Sequence, residues 1–144
     1  MPTAEAEPSP QPTLAPAYYP DTGIWAVAAR VSLLVAVAAI GYASLVPGRY
    51  VPRLLYSYHL EHFAAFYMAA LIAAAAFPRS RLRTIGIIAV VMALVLEGLQ
   101  MVWGRGLLDT YNNALSDVGG AFAAALPIAM DRFRRMFSPR SRAA

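Results

Sequence analysis

Hydrophobic and polar positions in this chain come in long blocks, without the short period of a strand or of a half-exposed surface helix. Apolar runs occupy residues 24–46, 59–77 and 84–103, and a fourth begins between 107 and 113 and ends at 130. About 20 apolar residues rising about 1.5 Å each cross the hydrocarbon layer of a bilayer as a helix. Helix-stopping residues follow the first three runs: Pro47-Gly48, Pro78, and Gly104-Arg105-Gly106. The pattern predicts an all-α fold, a polytopic membrane protein with four transmembrane helices in a bundle. Helices satisfy their own backbone in lipid, so this solution suits such runs.

The flanks differ from the spans. Six of the eleven prolines lie in residues 1–20, with no Lys or Arg. Residues 1–22 therefore read as a disordered Pro/Ala-rich tail, without the basic start and apolar core of a signal peptide. Residues 23–131 form the membrane domain. Residues 132–144 read as a basic cytoplasmic tail carrying Arg132, Arg134, Arg135, Arg140 and Arg142.

Composition narrows the class. The chain is 59% hydrophobic and 14% charged, where soluble domains are nearer 45–50% and 25%. It has no cysteine, which excludes a disulfide frame, a thiolate metal site and a Cys nucleophile. All twelve basic residues are arginine. They lie between the spans and at the C-terminus, with no basic face interleaved with aromatics, so nucleic acid is not an expected partner.

The arginines also set an orientation. Four spans put both termini on one side, with Arg30, Arg79, Arg81, Arg83 and the five C-terminal arginines. Arg49, Arg53 and Arg105 fall on the other. The positive-inside rule then predicts cytoplasmic termini. The outer ends of the spans hold His59, Glu61, His62, Glu97, Gln100, Asp109, Asn113 and Asp117, whereas the inner halves are Ala, Val, Ile, Leu and Met. Helical spacing puts Glu97 and Gln100 on one face, His59 and His62 on another, and Asn113, Asp117 and Gly120 on a third. Gly119 and Gly120 allow a neighbouring helix to come close.

Glu97 is the central candidate, because an acid within an apolar span is costly and calls for a partner or a function. It either braces the bundle against Arg105, His62 or Arg49, or serves as a ligand or general base. His59, His62, Glu97 and Asp117 suit zinc by residue type. With no HExxH-type motif, however, a hydrogen bond from His62 to Glu97 or Asp117 is the preferred reading, and neither metal nor cofactor is expected. Arg105, between two glycines, is either an anion contact or a snorkelling cation. Asp109 and Asn112 read as helix caps.

These residues resemble the VanZ family of small bacterial membrane proteins. His62-Phe63 with Phe66 is similar to its first element, Glu97-Gly98-Leu99-Gln100 to its second, and Arg105 to its third. For the last, an Asp-x-x-x-Asn-x-x-Gly step, two registers stand. Asn113 to Asp117 with Gly120 exchanges the acid and the amide, and Asp109 to Asn113 places Ser116 where the glycine belongs. The resemblance covers about residues 42–126. It implies a multi-pass protein of the bacterial cytoplasmic (inner) membrane and cell envelope, linked to resistance to teicoplanin-type glycopeptide antibiotics. On this reading His62, Glu97, Gln100, Arg105, Asn113 and Asp117 bind a ligand. Its partners are membrane lipid and a cell-wall precursor or amphiphilic antibiotic. Two alternatives stay open. One is a membrane enzyme acting on a lipid or phosphate headgroup, with Glu97, His62 and Asp117 as catalytic candidates. The other is a structural subunit without a site.

Overall fold

The computed structural model describes residues 22–47 and 50–137. The tail reading for residues 1–21, Arg49 of the outer arginines, and Arg140 and Arg142 of the inner ones lie outside the described residues. Four helices make up the fold: α1 (Ile24–Leu45), α2 (Tyr58–Ala76), α3 (Leu82–Val102) and α4 (Leu107–Phe137). Each is long and apolar enough to cross a membrane. No strand occurs among the described residues.

The breaks fall where the sequence supplies them. The backbone N–H of Phe77 closes α2 on the Ala73 carbonyl, and Pro78 follows. Gly104 ends α3 with φ +95°, a left-handed conformation that L side chains rarely adopt. This turn lets the Arg105 N–H reach back to the Gln100 carbonyl at 3.2 Å, a common glycine-dependent helix stop.

Two expectations about α4 change. It begins at Leu107, so Asp109 lies in its first turn and Asn112 inside it. Asn112 is therefore not a cap, and its carbonyl accepts the Ser116 hydroxyl at 2.9 Å. The helix also passes through Pro127 and continues beyond 131 to Phe137, taking up the first part of the basic tail. Phe133 and Phe137, one turn apart with ring centroids at 4.8 Å, supply a side-chain pair that supports this extension.

α2 and α4 share the largest interface, with α3 packed mainly on α4 and α1 mainly on α2. The central pair runs in the same direction: His59 meets Asn113, His62 meets Asp117, and Phe63 meets Gly120. The approach is closest at Gly120. A Cβ there would run into the Phe63 carbonyl oxygen and lie 3.0 Å from the Tyr67 backbone nitrogen. Further inward the buried residues are small, with Ala70, Ala121 and Ala124 packed against Tyr67, Leu71 and Ala89. Leu34, Val35, Ile87, Ile88, Leu94 and Leu126 are exposed. An apolar exterior over a small-residue interior is the arrangement expected when lipid is the solvent, since close backbone approach then replaces the hydrophobic effect as the adhesive.

Candidate functional site

The polar positions of α2, α3 and α4 converge where the three helices meet. Glu97, Gln100, Asn113 and Asp117 are all buried, with Glu97, Asn113 and Asp117 at 1% exposure. Helical period explains the convergence. Glu97 and Gln100 lie three residues apart on α3, and Asn113 and Asp117 four apart on α4, so each pair shares a face. His59 and His62, three apart on α2, meet the α4 pair in step.

The hydrogen bonds join these faces. His62 Nδ1 donates to Asp117 Oδ1 at 2.8 Å and lies 3.6 Å from Glu97 Oε1. His59 Nδ1 donates to Asn113 Oδ1 at 3.0 Å. Asn113 Nδ2 donates in turn to Glu97 Oε2 at 3.4 Å, and Gln100 Nε2 donates to Glu97 Oε1 at 3.2 Å. Glu97 is thus held by an amide on each oxygen, with His62 alongside. A buried carboxylate is tolerated in a low-dielectric interior only when its lone pairs are engaged in this way. One acceptor of the group is left over: Gln100 Oε1 is buried with no hydrogen-bond partner.

Arg105 does not join Glu97. Its Nη1 donates to the Tyr58 hydroxyl at 2.6 Å, and its guanidinium carbon lies 5.0 Å from the centre of the Tyr58 ring. Arg53 stands over the same ring at 4.8 Å. Tyr58 also sets its ring 4.4 Å from that of His62. It therefore links the two outer arginines to the buried cluster. From sequence alone Tyr58 is one of several aromatics around the first connection, a composition that suits the headgroup layer. A signal was present in the run Tyr58-His59-x-x-His62, which starts α2 with all three rings within one turn. Glu61, unassigned from sequence, has a structural role. Its Oε1 accepts the Leu54 and Leu55 N–H groups at 2.6 and 2.8 Å, and Oε2 lies 4.0 Å from Arg53. The acid pins the α1–α2 connection over the start of its own helix.

Two cavities open beside this network. A polar one of about 340 Å³ is lined by Arg53, Tyr58, His59, Arg105, Asp109 and Asn113, among others. An apolar one of about 510 Å³ lies between α1 and α2 and is lined largely by Ala39, Ile40, Leu54, Leu55, Ala65 and Met68. Ala43, Val51, Tyr58 and Glu61 belong to both. Of the candidate residues, Arg105 and Asn113 face the polar cavity and His62 the apolar one. Glu97, Gln100 and Asp117 line neither and lie in the buried cluster.

Fold and site together define a multi-pass, four-helix membrane bundle with a buried polar centre near one end. Comparison of the chain with protein-family models, with curated proteins and with solved structures finds no match.

Proposed function

We propose that this chain is a VanZ-like envelope protein of the bacterial inner membrane, with both termini cytoplasmic. It binds an amphiphile of the outer leaflet and thereby alters sensitivity to teicoplanin-type glycopeptides. The observation that carries this reading is the shared wall between the two cavities: a polar chamber with two arginines adjoins an apolar cleft between α1 and α2. A molecule with an anionic or polar head and a hydrocarbon tail fits both parts at once. Its head would meet Arg53 and Arg105, which present planar donor arrays to phosphate or carboxylate. Its tail would occupy the cleft. Membrane phospholipid, a lipid-linked cell-wall precursor and an acylated antibiotic share that chemistry.

Spin-labelled anionic and zwitterionic phospholipids, titrated onto the purified protein in detergent, test the reading. The protein should retain the anionic lipid preferentially. Arg53→Glu with Arg105→Ala should remove the preference, and Ala65→Trp should lower binding of both lipids by filling the cleft. Equal, weak binding of both lipids by the unmodified chain would refute it. In cells, Glu97→Gln and Arg105→Ala should abolish a teicoplanin phenotype while the protein still inserts. The orientation has its own test, made clean by the absence of cysteine. A membrane-impermeant thiol reagent should label a cysteine introduced at Gly104 and not one at Ser138.

A further inference from the structure

We propose that His62 Nδ1, Glu97 Oε1 and Asp117 Oδ1 together hold a divalent first-row metal ion of the zinc class, with the Gln100 carbonyl oxygen as a fourth donor. The inference is independent of the amphiphile reading, and it revises the expectation from sequence that no metal is bound.

Geometry carries it first. One ligand atom from each of His62, Glu97 and Asp117 lies within 4.8 Å of the others. The three residues come from three different helices, so the grouping is a product of the fold. Bonds of about 2.0–2.2 Å at a tetrahedral ion place neighbouring donors about 3.4 Å apart. The distances from His62 Nδ1 to the two carboxylates, 2.8 and 3.6 Å, fall on either side of that value.

Charge comes second. Glu97 and Asp117 are both 1% exposed, and ionised carboxylates in such surroundings need compensation. A single imidazolium offsets one of them. A divalent ion offsets both and leaves the site without net charge when His62 is the neutral Nε2–H tautomer, with the Nδ1 lone pair on the ion in place of the proton that Nδ1 otherwise donates to Asp117. A mixed nitrogen and oxygen donor set suits zinc and its first-row neighbours. It does not suit calcium, which takes six to eight oxygens.

The surroundings come third. Metal-binding carboxylates are characteristically oriented by further hydrogen bonds. Gln100 and Asn113 each donate to one oxygen of Glu97. The Gln100 amide nitrogen is anchored on Glu97 Oε1 at 3.2 Å, and its oxygen belongs to the same amide. That oxygen is buried and has no partner, and a metal supplies one. His59, which sequence grouped with these ligands, is instead bonded to Asn113.

The full chain, purified in detergent and stripped with a chelator, should be titrated with Zn²⁺ against a competing indicator, and with Co²⁺ as a visible-absorbing stand-in. Stoichiometric Zn²⁺ binding and an intense visible Co²⁺ spectrum are expected. His62→Ala and Asp117→Asn should abolish both, and Gln100→Ala should weaken affinity about 10–100-fold. Asp131→Asn, far along α4, should leave affinity unchanged. Absence of stoichiometric binding by the unmodified chain would overturn the proposal, and so would binding that survives His62→Ala. If the ligand variants do not fold, the Co²⁺ spectrum of the unmodified chain decides alone: intense bands of low-coordinate cobalt support the site, and the weak spectrum of the aquo ion overturns it.

Discussion

The polar half and the alanine half of this bundle are built from the same four helices but are held together differently. In the polar half the buried residues of α3 and α4 are Glu97, Gln100, Asn113 and Asp117, and the helices are joined by directed hydrogen bonds. In the alanine half they include Ala93, Ala121 and Ala124, at 0%, 4% and 0% exposure, and these residues meet by close contact. Lipid offers apolar side chains no reason to leave it, so an alanine interface gains only dispersion and close fit. It is adaptable and holds no chemistry. The polar half demands one geometry, because each buried donor or acceptor left unmatched costs about 1–3 kcal/mol. Both proposals place their site at this polar end.

The boundary between the halves lies near Gly120, and the largest predicted effect is there. Gly120→Ala places a methyl against the Phe63 carbonyl and the Tyr67 nitrogen, and backbone cannot swing aside as a side chain can. A loss of about 3 kcal/mol is expected, the upper end of overpacking costs, read from unfolding in mixed micelles. Gly119→Ala is the matched control. Its added methyl would meet only the Phe63 ring, at 3.7 Å, an ordinary contact. Equal gains of about 1 kcal/mol at the two glycines would show that the better helix propensity of alanine, and not the α2–α4 approach, sets the effect.

The next effect measures the polar half itself. Asp117→Ala removes the acceptor of His62 and should cost about 2 kcal/mol. A double-mutant cycle with His62→Ala should return a coupling of about 1 kcal/mol, within the range of hydrogen bonds between transmembrane helices. In the alanine half, Ala124→Gly should cost about 1 kcal/mol, essentially the helix-propensity difference, and should show no coupling to either residue. Coupling between Ala124 and the His62–Asp117 pair would mean that the halves do not act separately.

Much of this division is legible in the sequence. Run lengths and the stops at Pro47, Pro78 and Gly104 locate the helices to within a residue or two, because lipid thickness and missing backbone donors leave little choice. The shared faces of Glu97 with Gln100, and of Asn113 with Asp117, follow from helical period. The pairing of one helix with another does not follow. Nothing in the local pattern sends Arg105 to Tyr58 instead of Glu97, because both lie within reach of a long side chain and only the helix packing separates them. The removal of His59 from the ligand group has the same origin, since the relative rotation of α2 and α4 decides which histidine meets which acceptor. The helix α4 outruns its apolar run for a different reason. The apolar run ends at Met130, before Asp131 and the arginines, but helical backbone is not confined to apolar residues, and α4 continues to Phe137.

The smallest effect on stability is predicted at the rim of the polar half. Arg53 has a side chain 57% exposed and an ion pair with Glu61 at 4.0 Å, and exposed pairs of this kind contribute little. Arg53→Ala should change unfolding stability by no more than about 0.5 kcal/mol. The other anchors of the connection remain, since Glu61 still accepts the Leu54 and Leu55 amides. Yet Arg53 lines the polar cavity, and under the amphiphile reading its loss removes one of two cations facing the ligand's head. The same substitution should therefore leave the melting curve nearly unmoved and lower retention of anionic lipid several-fold. A large stability loss would reassign Arg53 to the scaffold. Unchanged lipid retention would remove it from the proposed site and leave Arg105 as the cation facing the head.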